Sequence, residues 1–131
     1  MISVVVALFN EQENVDALLS EIHAAMEASP WPWELILVDD GSTDGTLELL
    51  RAGRAHYGDQ VTVLELRRNF GQTAATQAGL DAASGDLIAT LDGDLQNDPA
   101  DIPRMVRELL ERDLDLLQGW RQKRQDDLLL R

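Results

Sequence analysis

Three carboxylates, Asp92, Asp94 and Asp98, fall within the ten residues TLDGDLQNDP, directly behind the apolar run DLIATL. Asp92 and Asp94 stand one residue apart. Ionised side chains that close repel one another unless a cation sits between them or one keeps its proton. A hard divalent ion, Mg²⁺ or Mn²⁺, suits such a pair: it uses one or two carboxylates, keeps several waters and completes its shell with substrate phosphates. The pair therefore predicts a site that holds a diphosphate through an ion. Asp98 and Asp101 have a plainer reading as turn formers and caps of a following helix.

Other phosphate and metal motifs do not fit. An EF-hand loop begun at Asp92 would place Asn97 where glycine is needed and Pro103 where the bidentate glutamate is needed. Begun at Asp94, it meets Pro99 and Met105 at those positions. There is no GxxxxGK[ST] and no GxGxxG, and the only lysine is Lys123. A second acidic pair, Asp39 and Asp40 in LVDDGS, has two readings. It could form a turn with Gly41, or a carboxylate there could accept hydrogen bonds from the N–H groups of a base or from ribose hydroxyls.

The charge distribution narrows the partners. The chain carries 24 acidic and 11 basic residues, a net charge of -13, and residues 1–50 contain no Lys or Arg. Nucleic acid is excluded as a partner, since phosphate backbones require a basic footprint. There is no cysteine, so neither disulfides nor thiolate metal sites arise. No apolar run approaches the roughly 20 residues needed to span a bilayer as a helix. The 131-residue chain is expected to be soluble and to fold as one domain.

Short apolar runs alternate with stretches of helical period, the pattern of βαβ units and a mostly parallel, Rossmann-like sheet flanked by helices. Strands are expected over ISVVVALF (2–9), ELILV (34–38), VTVLEL (61–66) and DLIATL (86–91). Helices are expected over 12–28, from the DDGSTDGT turn to about His56 with Ser42 or Thr43 as N-cap, over 71–84, and from near Asp101. A short strand, DLLQG (115–119), would follow. Three polar clusters, FNEQE, DDGS and DGDLQND, then fall at strand carboxyl ends, where open parallel sheets bind ligands. His23 and His56 lie in helical stretches and are assigned no chemistry. Trp31, Trp33 and Trp120 are expected to pack or to lie at an interface.

The segments ISVVVALFNEQENV, LILVDDGSTDGT, LRRNFGQTAATQAGL, GDLIATLDGDLQNDP and GWRQKR, in that order, resemble the inverting glycosyltransferases of family two. Their closest likeness is to the polyprenyl-phosphate sugar synthases. The resemblance covers essentially the whole chain and implies a GT-A fold, a nucleoside-diphosphate sugar (UDP or GDP) as donor and a polyprenyl phosphate as acceptor. By position, Ala7, Phe9 and Glu11 match the segment lining the base and ribose pocket, which usually has Pro and Tyr in place of Ala7 and Phe9. Asp39 matches the carboxylate that reads the base, with Asp40 beside it. Asp92 and Asp94 match the DxD pair, and Gln96 a further metal ligand. Arg68, Asn69 and Gly71 match a donor-proximal segment, and Arg121, Lys123 and Arg124 a basic loop that meets the acceptor phosphate.

The expected reaction is metal-dependent sugar transfer with inversion, in which Asp94 and Arg121 matter most. A phosphate acceptor is already ionised and needs no general base. An acceptor hydroxyl, as in polysaccharide synthesis, would need a carboxylate base, and none stands out after Asp101. A phospho-accepting receiver would want an acidic pair after its first strand, where this chain has FNE. Nucleotide binding without chemistry is a further reading. Relatives that use lipid phosphates continue into membrane-associating helices, so the chain reads as truncated after DDLLLR. The complete protein is expected at the inner face of the cytoplasmic membrane, and the exposed LLL favours a homodimer.

Overall fold

The computed structural model describes residues 1–115. Four strands, β1 (Ile2–Leu8), β2 (Trp33–Asp39), β3 (Val61–Glu65) and β4 (Leu87–Asp92), alternate with helices α1 (Val15–Glu27), α2 (Thr46–Tyr57), α3 (Gln72–Ala82) and α4 (Asp101–Glu111). The strands form one sheet in the order β3-β2-β1-β4, and every neighbouring pair is parallel. Winding runs outward from β1 to β3 and then crosses back to β4. The direction therefore reverses between β1 and β4, which is where a doubly wound sheet opens a ligand crevice.

Burial follows the period of each element. Val4, Val6, Leu8, Leu35 and Leu37 meet Leu18, Leu19, Ile22 and Met26 of α1, Leu50 of α2, and Ile102 and Val106 of α4. On the other face Val5, Ile36 and Val38 pack against Ala75 of α3. The approach of α3 depends on a missing side chain: a Cβ on Gly79 would lie 2.3 Å from Val5 Cγ1. Small residues in QTAATQAGLDA thus bring the helix close to the sheet.

Three expectations change. The first strand ends at Leu8, leaving Phe9 43% exposed in the following loop. Neither Ser42 nor Thr43 caps α2; the helix starts at Thr46, and Gly45 occupies the cap position with no side-chain cap bond. In place of a cap, Asp44 Oδ1 accepts from Thr46 N (2.9 Å) and from the Thr46 hydroxyl (2.5 Å). Finally, the apolar run DLIATL reads as a buried strand, yet β4 alternates between half-buried and exposed residues, with Ile88 45% exposed. Among the described residues it is an edge strand with α3 over its neighbours, so only its Leu87, Ala89 and Leu91 face joins the core. Most of the expected strand DLLQG, residues 116–119, lies outside the described residues. No helix among the described residues is long and apolar enough to cross a membrane.

Trp33 is buried and its Nε1 donates to Glu27 Oε2 at 3.3 Å, while Trp31 packs at the edge of the same core. Both serve packing. His23 lies against the edge of Trp33 and against Tyr57, remote from the strand carboxyl ends.

Candidate active site

The loops after β1 and β2 are knitted together. Asn10, whose φ of 53° is left-handed, donates its backbone N–H to Ser42 Oγ (2.9 Å), and its Oδ1 accepts from Thr43 N (2.8 Å). Glu11 N donates to Thr46 Oγ1 (2.9 Å), and Gly45 N donates to Gln12 Oε1 (2.8 Å). Glu11 Oε1 is occupied by Asn14 Nδ2 at 3.1 Å. Asp44 gathers this lattice. Burial raises its pKa, but hydrogen bonds from the Thr46 hydroxyl and from the backbone N–H groups of Thr46, Gln12 and Asp44 itself outweigh that effect and hold it below its ordinary value of 3.8. A carboxylate stabilised in this way stays ionised and keeps the two loops in register.

The acidic pair Asp39–Asp40 divides its work. Both residues are buried, at 1% and 3% exposure. Asp39 Oδ2 accepts from Ser42 N at 3.3 Å, which satisfies the turn reading, while its Oδ1 is buried without a hydrogen-bond partner. Such an oxygen is costly unless a ligand donor reaches it. Asp40 instead fastens the next loop: Oδ1 accepts from Phe70 N (2.8 Å), and Oδ2 accepts from Gly71 N and Asn69 Nδ2 (both 3.1 Å). Gly41 fits between them with φ +70°; a Cβ there would stand 2.2 Å from the Arg68 carbonyl carbon. The RNFG segment is thereby drawn against the DDG turn. Arg68 lies over the Phe70 ring at 4.3 Å, and Phe70 is 49% exposed.

Across β1, Asp92 ends β4. Its Oδ1 accepts from Gln72 Nε2 at 2.6 Å, and its backbone N–H donates to Asn97 Oδ1 at 3.3 Å. Asp94 is exposed and accepts from Gln96 N at 3.1 Å. Between them and Gln96, Leu95 takes a left-handed φ of 62°, a costly conformation for leucine, while its side chain packs against the core. That anchor fixes the turn carrying Asp94 and Gln96. Asp98 Oδ1 accepts from Ala100 N at 3.0 Å at the start of α4, as its turn-forming reading predicts.

The fold thus brings Ala7, Asp39, Asp40, Asp92 and the 68–71 loop to one end of the sheet, with Phe9 and Glu11 on the adjoining loop. Gln72 is the residue that sequence reasoning missed. Its position opening α3, directly behind RNFG, was the available signal. Arg121, Lys123 and Arg124 lie outside the described residues, as does Trp120. No cluster of three or more His, Cys, Asp or Glu placed to hold a metal occurs among the described residues. An ion of the Mg²⁺ or Mn²⁺ type takes few protein ligands and relies on substrate oxygens, and Asp92, Asp94 and the Gln96 amide carry the hard oxygen donors such an ion prefers.

The doubly wound α/β sheet, with carboxylates on both sides of its switch point, has the GT-A fold of the solved glycosyltransferases it is similar to. The family model described as Glycosyl transferase family 2 matches residues 3–131, and the chain belongs to that family. It is 58% identical over 130 residues to the dodecaprenyl-phosphate galacturonate synthase of Rhizobium johnstonii, covering 99% of this chain and 38% of that protein. It is 44% identical over 126 residues to the undecaprenyl-phosphate 4-deoxy-4-formamido-L-arabinose transferase of Aeromonas hydrophila, covering 96% of this chain and 38% of that one. The chain therefore spans well under half the length of these relatives. Among solved structures, it is similar to the mannosyltransferase PcManGT from Pyrobaculum calidifontis in complex with GDP-Man and Mn²⁺. That match has a TM-score of 0.71 and 26% identity, over 82% of this chain and 32% of that one. Its fold also resembles S. aureus TarS 1-349 in complex with UDP-GlcNAc, with a TM-score of 0.63 and 22% identity over 85% of this chain and 31% of that one.

Proposed function

We propose that the protein transfers a sugar from a nucleoside-diphosphate sugar to a polyprenyl phosphate, with inversion and with a divalent metal. The observation that carries this reading is the placement of buried Asp39, with one unpartnered oxygen, and of the Asp92–Asp94 pair on opposite sides of β1. One end suits a base N–H donor and the other a diphosphate. Support for the acceptor comes from the relatives, whose names are those of transferases to polyprenyl phosphates.

In this reading Asp39 Oδ1 accepts from the base, with Ala7, Phe9 and Glu11 beside it. Asp92, Asp94 and Gln96 would hold the metal, which when bound supplies positive charge against the leaving diphosphate. Arg68, Asn69 and Gly71 line the donor side. Arg121, Lys123 and Arg124 grip the acceptor phosphate, since arginine binds phosphate oxygens bidentately. An acceptor oxygen bonds to the anomeric carbon from the face opposite the departing diphosphate, whose bond to that carbon breaks. The acceptor phosphate is already an anion at neutral pH, so the protein orients rather than deprotonates it. A polyprenyl phosphate is a membrane lipid, so in this reading transfer takes place at a membrane surface. The test is transfer to a polyprenyl phosphate by the full-length protein with a panel of UDP- and GDP-sugars and Mn²⁺; product with a free sugar hydroxyl acceptor and none with the lipid phosphate would overturn the reading.

A further inference from the structure

We infer that Gln72 is a positioning residue for the Asp92 carboxylate, and that Asp40 sets where Gln72 stands. Gln72 is the first residue of α3, and its Nε2 donates to Asp92 Oδ1 at 2.6 Å. A donor to one carboxylate oxygen fixes the rotation of the carboxyl plane and directs how the group is presented to a ligand. The start of α3 is in turn tied to Asp40. Phe70 N, Gly71 N and Asn69 Nδ2 all converge on its two oxygens, and Asn69 Nδ2 also donates to the Asp40 carbonyl at 3.2 Å.

The connection is short and made of stiff parts. Asp40 is 3% exposed and lies one residue beyond β2, so the central sheet holds it. Its backbone N–H donates to Leu8 O at 2.8 Å, which ties it to β1 as well. Gly71, held by Asp40, occupies the cap position of α3, and its carbonyl accepts from Ala75 N at 3.0 Å in the first helical turn. The next residue is Gln72. The contacts run from the buried carboxylate beside Asp39 to the carboxylate that ends β4, through Gly71 and Gln72. A shift of the 69–71 loop would move the Gln72 amide relative to Asp92, and a charge-assisted hydrogen bond is sensitive to such displacement. The two ends of the site are thereby held at a fixed spacing by protein before any ligand arrives.

The inference rests on the metal reading of Asp92 for its functional consequence, and the test separates the two. In the 131-residue chain, the Gln72 side-chain amide resonances are followed by NMR without metal, and Mn²⁺ affinity is then measured by electron paramagnetic resonance. Asp92→Ala should shift the Gln72 amide signals. Gln72→Ala, a change at an exposed helix position, should weaken Mn²⁺ binding about tenfold. In the Asp92→Ala background, Gln72→Ala should cost nothing more. Asp40→Asn should weaken Mn²⁺ in the wild-type background and have no effect once Gln72 is alanine. Gln72 amide signals indifferent to Asp92→Ala, or fully additive losses, would overturn the positioning role. Mn²⁺ affinity unchanged by Asp92→Ala would overturn the metal reading instead, and the amide resonances would then decide the positioning role alone.

Discussion

Asp39 and Asp92 end the two strands that flank β1, paired with its consecutive residues Leu8 and Ala7. Two carboxylates separated by about 50 positions in the chain thus finish at the carboxyl end of the sheet, on either side of the strand where the winding reverses. Neighbouring strands lie about 4.8 Å apart, so two strand spacings separate the two backbones by roughly 10 Å.

Asp39→Asn should reduce nucleoside-diphosphate affinity by tenfold or more with little loss of fold, about 1.4 kcal/mol or greater in binding free energy. An amide can still accept from Ser42 N, but it turns an N–H donor toward the position now held by the unpartnered Oδ1. Calorimetry on the variant with UDP and GDP measures the effect.

Asp40→Ala should destabilise the fold by about 3 kcal/mol, because three donors of the 69–71 loop lose their acceptor and a buried void opens. Urea unfolding monitored by circular dichroism reads the change. Asp40 is a structural fastener first; an unchanged unfolding midpoint would contradict that.

Gly41→Ala should cost about 2–3 kcal/mol, since its Cβ would sit 2.2 Å from a backbone carbon in the facing loop at a left-handed φ. The same unfolding experiment applies. Gly58, also at positive φ but with nothing within 4 Å, should lose less than half as much.

Acid should loosen the junction of the first two loops. Asp44 has a folded pKa below 3.8, so its contribution is complete above the unfolded value and disappears as pH falls through the folded one. The melting-temperature difference between wild type and Asp44→Asn should be constant at neutral pH and shrink only below about pH 3.8. A difference that shrinks between pH 8 and pH 5 would contradict this assignment.

The order of elements was legible because the apolar runs are short and continuous in ISVVVAL and ELILV, while VDALLSEIHAAME repeats with helical period. The placement of Asp39 and Asp92 at strand ends was legible, because each closes a short apolar run. Only the family resemblance separated Asp39 from Asp40; by residue type the identical neighbours differ only in which oxygens the fold leaves unpaired. It also missed Gln72, whose amide gains meaning from a contact made 20 residues away. Ser42 and Thr43 have the composition of helix caps, but Asn10 competes for them, and Asp44 takes over the turn. Likewise β4 resembles a central strand in composition, although its position in the described sheet is at the edge.

Asp94→Ala should abolish metal-dependent transfer in the full-length enzyme while leaving the melting temperature nearly unchanged, because the side chain is exposed and supports only a local turn. Turnover within a fewfold of wild type would remove Asp94 from the metal site.

A chain of net charge -13 is expected to hold a diphosphate through a dication rather than through basic side chains. Isothermal titration of UDP and GDP into the chain, with Mn²⁺ and then with chelator, addresses it directly. The account predicts saturable binding of one of them with Mn²⁺, lost with chelator and lost in Asp92→Ala. Equal affinity with and without Mn²⁺, or no binding of either nucleotide under any condition, would contradict it.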